Sequence, residues 1–179
     1  MPPLLLKFRV AVSLEVSDDA LVADQYVFID EWDVDAPQEQ VFDVLVDSRT
    51  YPEWWTPTYV GGESDGPPKP GTVSRVRFKA KLPFTFTVTS RLVRVDRPNE
   101  FETIVEGDLG GVAVWTLTPR NGKVHVRFDW RVSADHPLIR FLTPVLRPIF
   151  RWNHKMAIGQ AKRNLESYVR RRAGLSGLD

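Results

Sequence analysis

Asp30 lies in the segment Tyr26-Val-Phe-Ile-Asp-Glu-Trp-Asp-Val34, where the alternate residues that share its face, Tyr26, Phe28, Trp32 and Val34, are apolar or aromatic. A carboxylate isolated on such a face suits general acid–base work. The competing reading is a strand that twists there, or a carboxylate paired with an arginine from the long C-terminal helix. His154 lies on an apolar stripe at helical spacing, formed by Phe150, His154, Ala157, Ile158, Ala161, Leu165, Tyr168 and Val169. A histidine there can polarise a carbonyl or shuttle a proton; its competing role is a core histidine with satisfied ring nitrogens. His125 falls on the polar face of a strand, and His136 precedes a proline. The three histidines lack metal-ligand spacing and there is no His-Glu-x-x-His, so no metal site is expected. The absence of cysteine excludes thiol nucleophiles, zinc–thiolate sites, Fe–S clusters and disulfide scaffolds. No Gly-x-Ser-x-Gly elbow or phosphate-binding loop is present, and Gly107–Gly111 reads as a hairpin turn. No cofactor is implied.

The elements that must carry these residues are legible from periodicity. Phe8–Val16 alternates like a half-buried strand, and Tyr26–Val34 is a second. Pro37 is placed to open a helix with Val41, Phe42, Val44 and Leu45 on one face. Asp47-Ser48 caps a short helix through Trp55, and Pro57 to Gly71 reads as turns. From Thr72 to Ala134 the alternation predicts successive antiparallel strands. Its parity slips after Val88, which predicts a bulge near Ser90–Leu92. Asn121-Gly122 is a strong hairpin signal. Lys123–Val132 then alternates cleanly, giving a sheet with one dry and one wet face. Pro137–Arg172 is helical, its first part limited by Pro144 and Pro148. The long portion from Ile149 measures roughly 36 Å at ~1.5 Å per residue.

With 179 residues, 42% apolar and 26% charged, the chain fits one globular domain. We divide it into an N-terminal extension, 1–22, a single ligand-binding domain, 23–173, and a frayed tail, 174–179. The extension is either a genuine extra strand or the product of a start codon placed too early. No secretory signal or bilayer-spanning run is expected, which makes a cytoplasmic protein the default. The net charge of +1 hides a split. Residues 15–65 hold fourteen acids and one base, and residues 138–172 hold nine bases and one acid. The favoured reading is mutual neutralisation in the fold or across a dimer. Contact of the basic helix with an anionic membrane is the less favoured one, and nucleic acid is not expected as a partner.

The segments Trp32-Asp-Val-Asp-Ala-Pro37, Val41-Phe-Asp-Val-Leu45 and Pro52-Glu-Trp-Trp55 resemble the opening of the polyketide cyclase/dehydrase and lipid-transport family. This is the START-like SRPBCC superfamily. Val93-Arg-Val-Asp-Arg-Pro98, Glu106-Gly-Asp-Leu109, Trp115-Thr-Leu-Thr-Pro119 and Arg147-Pro-Ile-Phe-Arg-Trp-Asn-His154 extend the resemblance over about Ala23–Arg172. It implies an α+β helix-grip fold: a curved antiparallel sheet around a long C-terminal helix, with two short helices after the first family strand. It does not imply one activity.

In such a fold the large inward residues of the sheet face small residues on the helix and wall an apolar pocket. The expected ligand-binding residues are Phe28, Asp30, Trp32, Phe78, Phe86, Thr103, Trp115, Phe128, Trp130, His154, Ala157 and Ile158. Ser74 and Ser90 add polar contacts. The competing role for the aromatic residues is simple core filling. Three functions are consistent with this: a module binding a lipid, isoprenoid or polyketide; an aromatase/cyclase- or dehydratase-like enzyme with Asp30 and His154 as its acid–base candidates; or, if the core is closed, an interaction protein.

Overall fold

The computed structural model describes residues 25–79, 85–107, 110–133 and 137–176. The expected strand Phe8–Val16, the extension 1–22 and the inward positions Ala80, Leu82 and Phe84 lie outside these. Seven strands form one antiparallel sheet in the order β1-β7-β6-β5-β4-β3-β2. They are β1 (Gln25–Val34), β2 (Tyr59–Ser64), β3 (Val73–Lys79), β4 (Thr85–Asp96), β5 (Glu100–Gly107), β6 (Gly110–Arg120) and β7 (Lys123–Ser133). Between β1 and β2 come α1 (Gln38–Val46), a 3₁₀ turn at Ser48–Thr50 and α2 (Tyr51–Trp54). The chain continues after β7 into α3 (Pro137–Ser176). This is the expected helix-grip architecture.

The clean alternation after Asn121-Gly122 is realised in β7: Val124, Val126, Phe128 and Val132 are buried, and Lys123 and Arg131 are exposed. Asn121 (φ 52°) and Gly122 (φ 76°) both take left-handed conformations, the backbone of a tight hairpin whose twist matches its strands. The bulge occurs next to the expected Ser90–Leu92. Leu92 pairs with Thr103 and Arg94 with Glu102, which leaves Val93 as the extra residue.

Three sequence expectations need correction. Tyr59–Ser64 is a strand, paired with β3, rather than part of a turn region. Gly61 and Gly62 erase the side-chain alternation that would have revealed it. They also permit close packing, since a Cβ at Gly62 would lie 3.2 Å from the Arg75 carbonyl oxygen. Secondly, α3 is one continuous helix through Pro144 and Pro148, instead of a short first part and a long second part. Each proline removes one intrahelical donor, and a long helix tolerates that loss. Finally, Pro37 is the capping residue, one position before the helix. Its carbonyl accepts from Gln40 N and Val41 N, both at 3.1 Å.

The core lies between sheet and helices. Val41, Phe42, Val44 and Leu45 of α1 are buried as expected, with Phe42 edge-on to Phe101 at 5.6 Å. Gln38 fastens α1 to the sheet by donating to the carbonyls of Pro98 (3.2 Å) and Leu117 (3.1 Å). The split of charge is used in the fold. Arg170 of α3 reaches Asp35 at 2.6 Å, and Lys162 donates to the Glu31 carbonyl at 3.0 Å.

Thr50 organises the turn between α1 and α2. Its buried hydroxyl lies 2.9 Å from the Asp47 carbonyl and 3.2 Å from that of Val44, and accepts from the Trp54 indole at 3.2 Å. Thr50→Val preserves shape but strands the indole N–H, so a loss of about 1–3 kcal/mol in unfolding free energy is expected. Urea denaturation measures it, and an unchanged midpoint would refute this account of the turn.

Candidate functional site

Strong curvature lifts the middle of the sheet away from α3, and a cavity of about 190 Å³ occupies the gap. Its floor is built from inward positions of β3 to β7, among them Phe78, Phe86, Thr103, Trp115, Phe128 and Trp130. His154, Ala157 and Ile158 of α3 close it from the other side, and Phe28 of β1 lines it too. The structure thus gathers ten of the twelve expected residues around one space. Ser74 and Ser90 are present as well, and Ser74 accepts from the Ser48 hydroxyl at 2.9 Å.

Asp30 and Trp32 are the two exceptions. Both are on the inward face of β1, but among the described residues β1 is the edge of the sheet and α3 packs against it, so they meet helix side chains rather than the cavity. Trp32 packs edge-on to Trp115 at 6.1 Å and lies under the Lys162 ammonium, 5.3 Å from its ring. Asp30 lines a shallow groove on the outer side, with Val27, Ile29, Lys155, Gly159 and Lys162. Phe28, His154 and Ile158 line both groove and cavity, and so form the partition between them.

Across that partition His154 Nε2 lies 2.6 Å from Asp30 Oδ2. The competing reading pairs Asp30 with an arginine of the long helix; its partner on that helix is instead His154. Lys162 Nζ is 4.0 Å from the other carboxylate oxygen. The side chains of both partners are largely buried, 13% exposed for His154 and 19% for Asp30. The Phe28 ring stacks on the imidazole with centroids 4.2 Å apart and planes at 24°, and Trp130 lies 5.9 Å away. Strand and helix therefore fix the orientation of one imidazole in the wall of an apolar cavity. His125 is elsewhere, on the outer face with Asp33 at 2.8 Å. Among the described residues no group of three or more His, Cys, Asp or Glu is arranged to hold a metal ion.

A further wall has no counterpart among the sequence expectations: Tyr51, Trp55 and Tyr59, with Thr58. It is tied directly to α3. Trp55 donates its indole N–H to the Ala157 carbonyl at 2.8 Å, and Thr58 donates to Gln160 at 2.7 Å. The Tyr168 hydroxyl donates to Glu53 at 2.9 Å. The dense aromatic run Tyr51-Pro-Glu-Trp-Trp55 is the available signal, but a four-residue helix has too few turns to show which face is inward.

The two tyrosines of this wall have an electrostatic signature. Tyr51 is pushed well above the ordinary phenol value by burial and then by the Asp47 charge, and its hydroxyl donates to the Leu45 carbonyl. Tyr59 is raised strongly as well, by burial first and Tyr51 second. Unfolding returns both to water, where phenols ionise near pH ~10. Above that pH the unfolded chain binds fewer protons than the folded one, so their contribution is intact below ~10 and is lost as pH rises towards the folded values. Stability should therefore fall steeply in alkali. The double variant Tyr51→Phe/Tyr59→Phe should flatten this alkaline limb in melts run across the pH range. Equal slopes in variant and parent would contradict the assignment.

Among the described residues, no helix is long and apolar enough to cross a membrane. Solved structures of similar shape include the aromatase/cyclase Zhui from Streptomyces sp. R1128. It has 15% identity and a TM-score of 0.66, with 83% of this chain and 96% of that one covered. A second, TTHA0849 from Thermus thermophilus, is 17% identical with a TM-score of 0.65, covering 80% of this chain and 97% of that one. Ara h 8.0201 is 18% identical with a TM-score of 0.56, covering 81% and 97%. At these identities the likeness establishes the fold. No curated protein matches the sequence. The model of one family, described as polyketide cyclase / dehydrase and lipid transport, spans residues 28–166, and the chain with its helix-grip fold belongs to that family.

Proposed function

We propose that the protein binds a small hydrophobic molecule, a lipid, isoprenoid or polyketide, between its sheet and α3. The observation that carries this reading is the cavity itself: aromatic and aliphatic side chains from several directions surround an unfilled space, with serine, threonine and tyrosine hydroxyls set among them. A core that served stability alone would close such a space, because an unfilled volume forfeits packing contacts. This also argues against the interaction-protein reading. Aromatic walls favour planar or ring-containing ligands.

A second reading, a cyclase- or dehydratase-like enzyme using the same cavity, is supported by the Asp30–His154 pair at its edge and by the family description. One solved relative of the fold is named an aromatase/cyclase. Native mass spectrometry of protein purified from its source tests the binding reading. A bound mass released on denaturation, identified as an apolar small molecule, is the expected result. Protein that carries no such mass, and whose tryptophan emission is unaffected by apolar aromatic compounds, would sink it.

A further inference from the structure

We propose that the segment Phe8–Val16, which lies outside the described residues, pairs antiparallel with the outer edge of β1 as an eighth strand of the sheet. Its apolar side then covers Val27 and Ile29.

The surface of β1 calls for such a strand. Val27 and Ile29 are each 47% exposed. Both sit on the outer face among charged neighbours: Arg131 and Asp129 lie opposite them on β7, and Glu31 and Asp33 follow along β1. Among the described residues β1 pairs only with β7, so its second edge presents backbone N–H and carbonyl groups away from the sheet. Such an edge is a template for another strand, and folded proteins guard or cover it. Here α3 guards the far part. Lys162 donates to the Glu31 carbonyl at 3.0 Å, and Arg170 donates to the Asp35 carbonyl at 3.1 Å. The near part, up to Ile29, borders the groove that Val27, Ile29, Lys155, Gly159 and Lys162 line.

The chain carries an occupant tethered to this spot. Phe8, Val10, Val12, Leu14 and Val16 alternate with Arg9, Ala11, Ser13 and Glu15, and residues 17–24 alone separate the segment from β1. A two-residue turn at Asp18-Asp19 sets Ser17 opposite Ala20, and by the same count Val10 opposite Val27 and Phe8 opposite Ile29. Opposite residues of an antiparallel pair share a face, so the apolar side of the segment joins the two exposed aliphatic residues. Pairing ends at Phe8, just before the part of the edge that Lys162 holds. Charge agrees with this direction. Lys7 and Arg9 come to the end of β1 that bears Asp30, Glu31 and Asp33, while Glu15, Asp18 and Asp19 stay near the turn. A second copy of the chain is the weaker competitor, because a tethered strand has an effective concentration of roughly millimolar order.

The test exploits the lack of cysteine, which makes any engineered pair the sole thiols. In the full chain, Val10→Cys/Val27→Cys should form an intramolecular disulfide under mild oxidation, since opposite residues of a ladder have Cα atoms about 4.5–5.5 Å apart. Ala11→Cys/Val27→Cys puts its thiols on opposite faces and should bridge at least about tenfold more slowly. Peptide mass spectrometry of the oxidised protein reads both. Deleting residues 1–22 should speed hydrogen exchange of the β1 amides at least about tenfold while β5 and β6 keep their protection. Should the shortened chain not fold, Val10→Asp in the full chain is expected to move β1 exchange in the same direction. Equal bridging rates in the two cysteine variants, or β1 exchange that neither change alters, overturn the proposal. A disulfide from position 10 of one chain to position 27 of another also overturns it, and gives the edge to a second copy.

Discussion

Phe42→Ala is expected to lower the unfolding free energy by about 3–5 kcal/mol. The ring is 1% exposed and sits between α1 and the sheet, edge-on to Phe101 at 5.6 Å. It does not line the cavity, so its removal opens a new void in closely packed surroundings. The loss combines the transfer energy of a large apolar side chain with the contacts its neighbours forfeit. For a domain of this size the effect corresponds to a drop in melting temperature of roughly 6–20 °C. Calorimetry measures it directly. A change below about 1 kcal/mol would mean that α1 does not pack as described. The same substitution should leave ligand affinity nearly unchanged at temperatures where the variant is folded, which separates core from site.

Ala157→Phe should have the opposite profile. The Ala157 side chain faces the cavity, while its main-chain carbonyl accepts the Trp55 indole hydrogen at 2.8 Å. Substitution leaves that hydrogen bond in place and puts a benzyl group into a space of about 190 Å³. Loss of at least about 100-fold in affinity for the native ligand is expected, equivalent to about 2.7 kcal/mol. The melting temperature should be unchanged or higher, because filling a void restores contacts unless the ring is forced off its preferred rotamers. Titration monitored by tryptophan emission checks the affinity, with an exposed α3 position, Arg171→Phe, as the control for adding an aromatic ring. Full affinity in Ala157→Phe would mean the ligand binds elsewhere on the protein.

Much of the fold is legible because its strands obey a strict two-residue period. In β7 the side chains of Val124, Val126 and Phe128 announce the buried face without ambiguity, and the register of the neighbouring strands follows from it. Where side chains carry no such information the reading fails. Gly61 and Gly62 are silent about their face, so β2 reads as a turn. The bulge falls at Val93, next to the expected Ser90–Leu92; a parity slip shows that a residue has been inserted without showing which one. The helical stripe identifies His154, and strand alternation identifies Asp30, each as inward-facing. Their contact depends on where α3 packs against β1, a tertiary fact that no local pattern encodes. The same packing takes Asp30 and Trp32 out of the cavity wall while leaving Phe28 in it.

The pairing of the first described strand with the last also orders events during folding. Gln25 lies opposite Ser133, and Asp30 is 124 positions from His154 in the chain. Contacts of such long range are formed at a high cost in chain entropy and tend to come late. During synthesis β1 therefore leaves the ribosome well before either of its partners, β7 or α3, exists. Its acidic side chains, which keep it soluble and repel other copies, suit it to that wait. The Asp30–His154 hydrogen bond can close only when the chain is nearly complete, so an incomplete nascent chain carries neither the finished cavity wall nor the strand-to-helix pair at its edge.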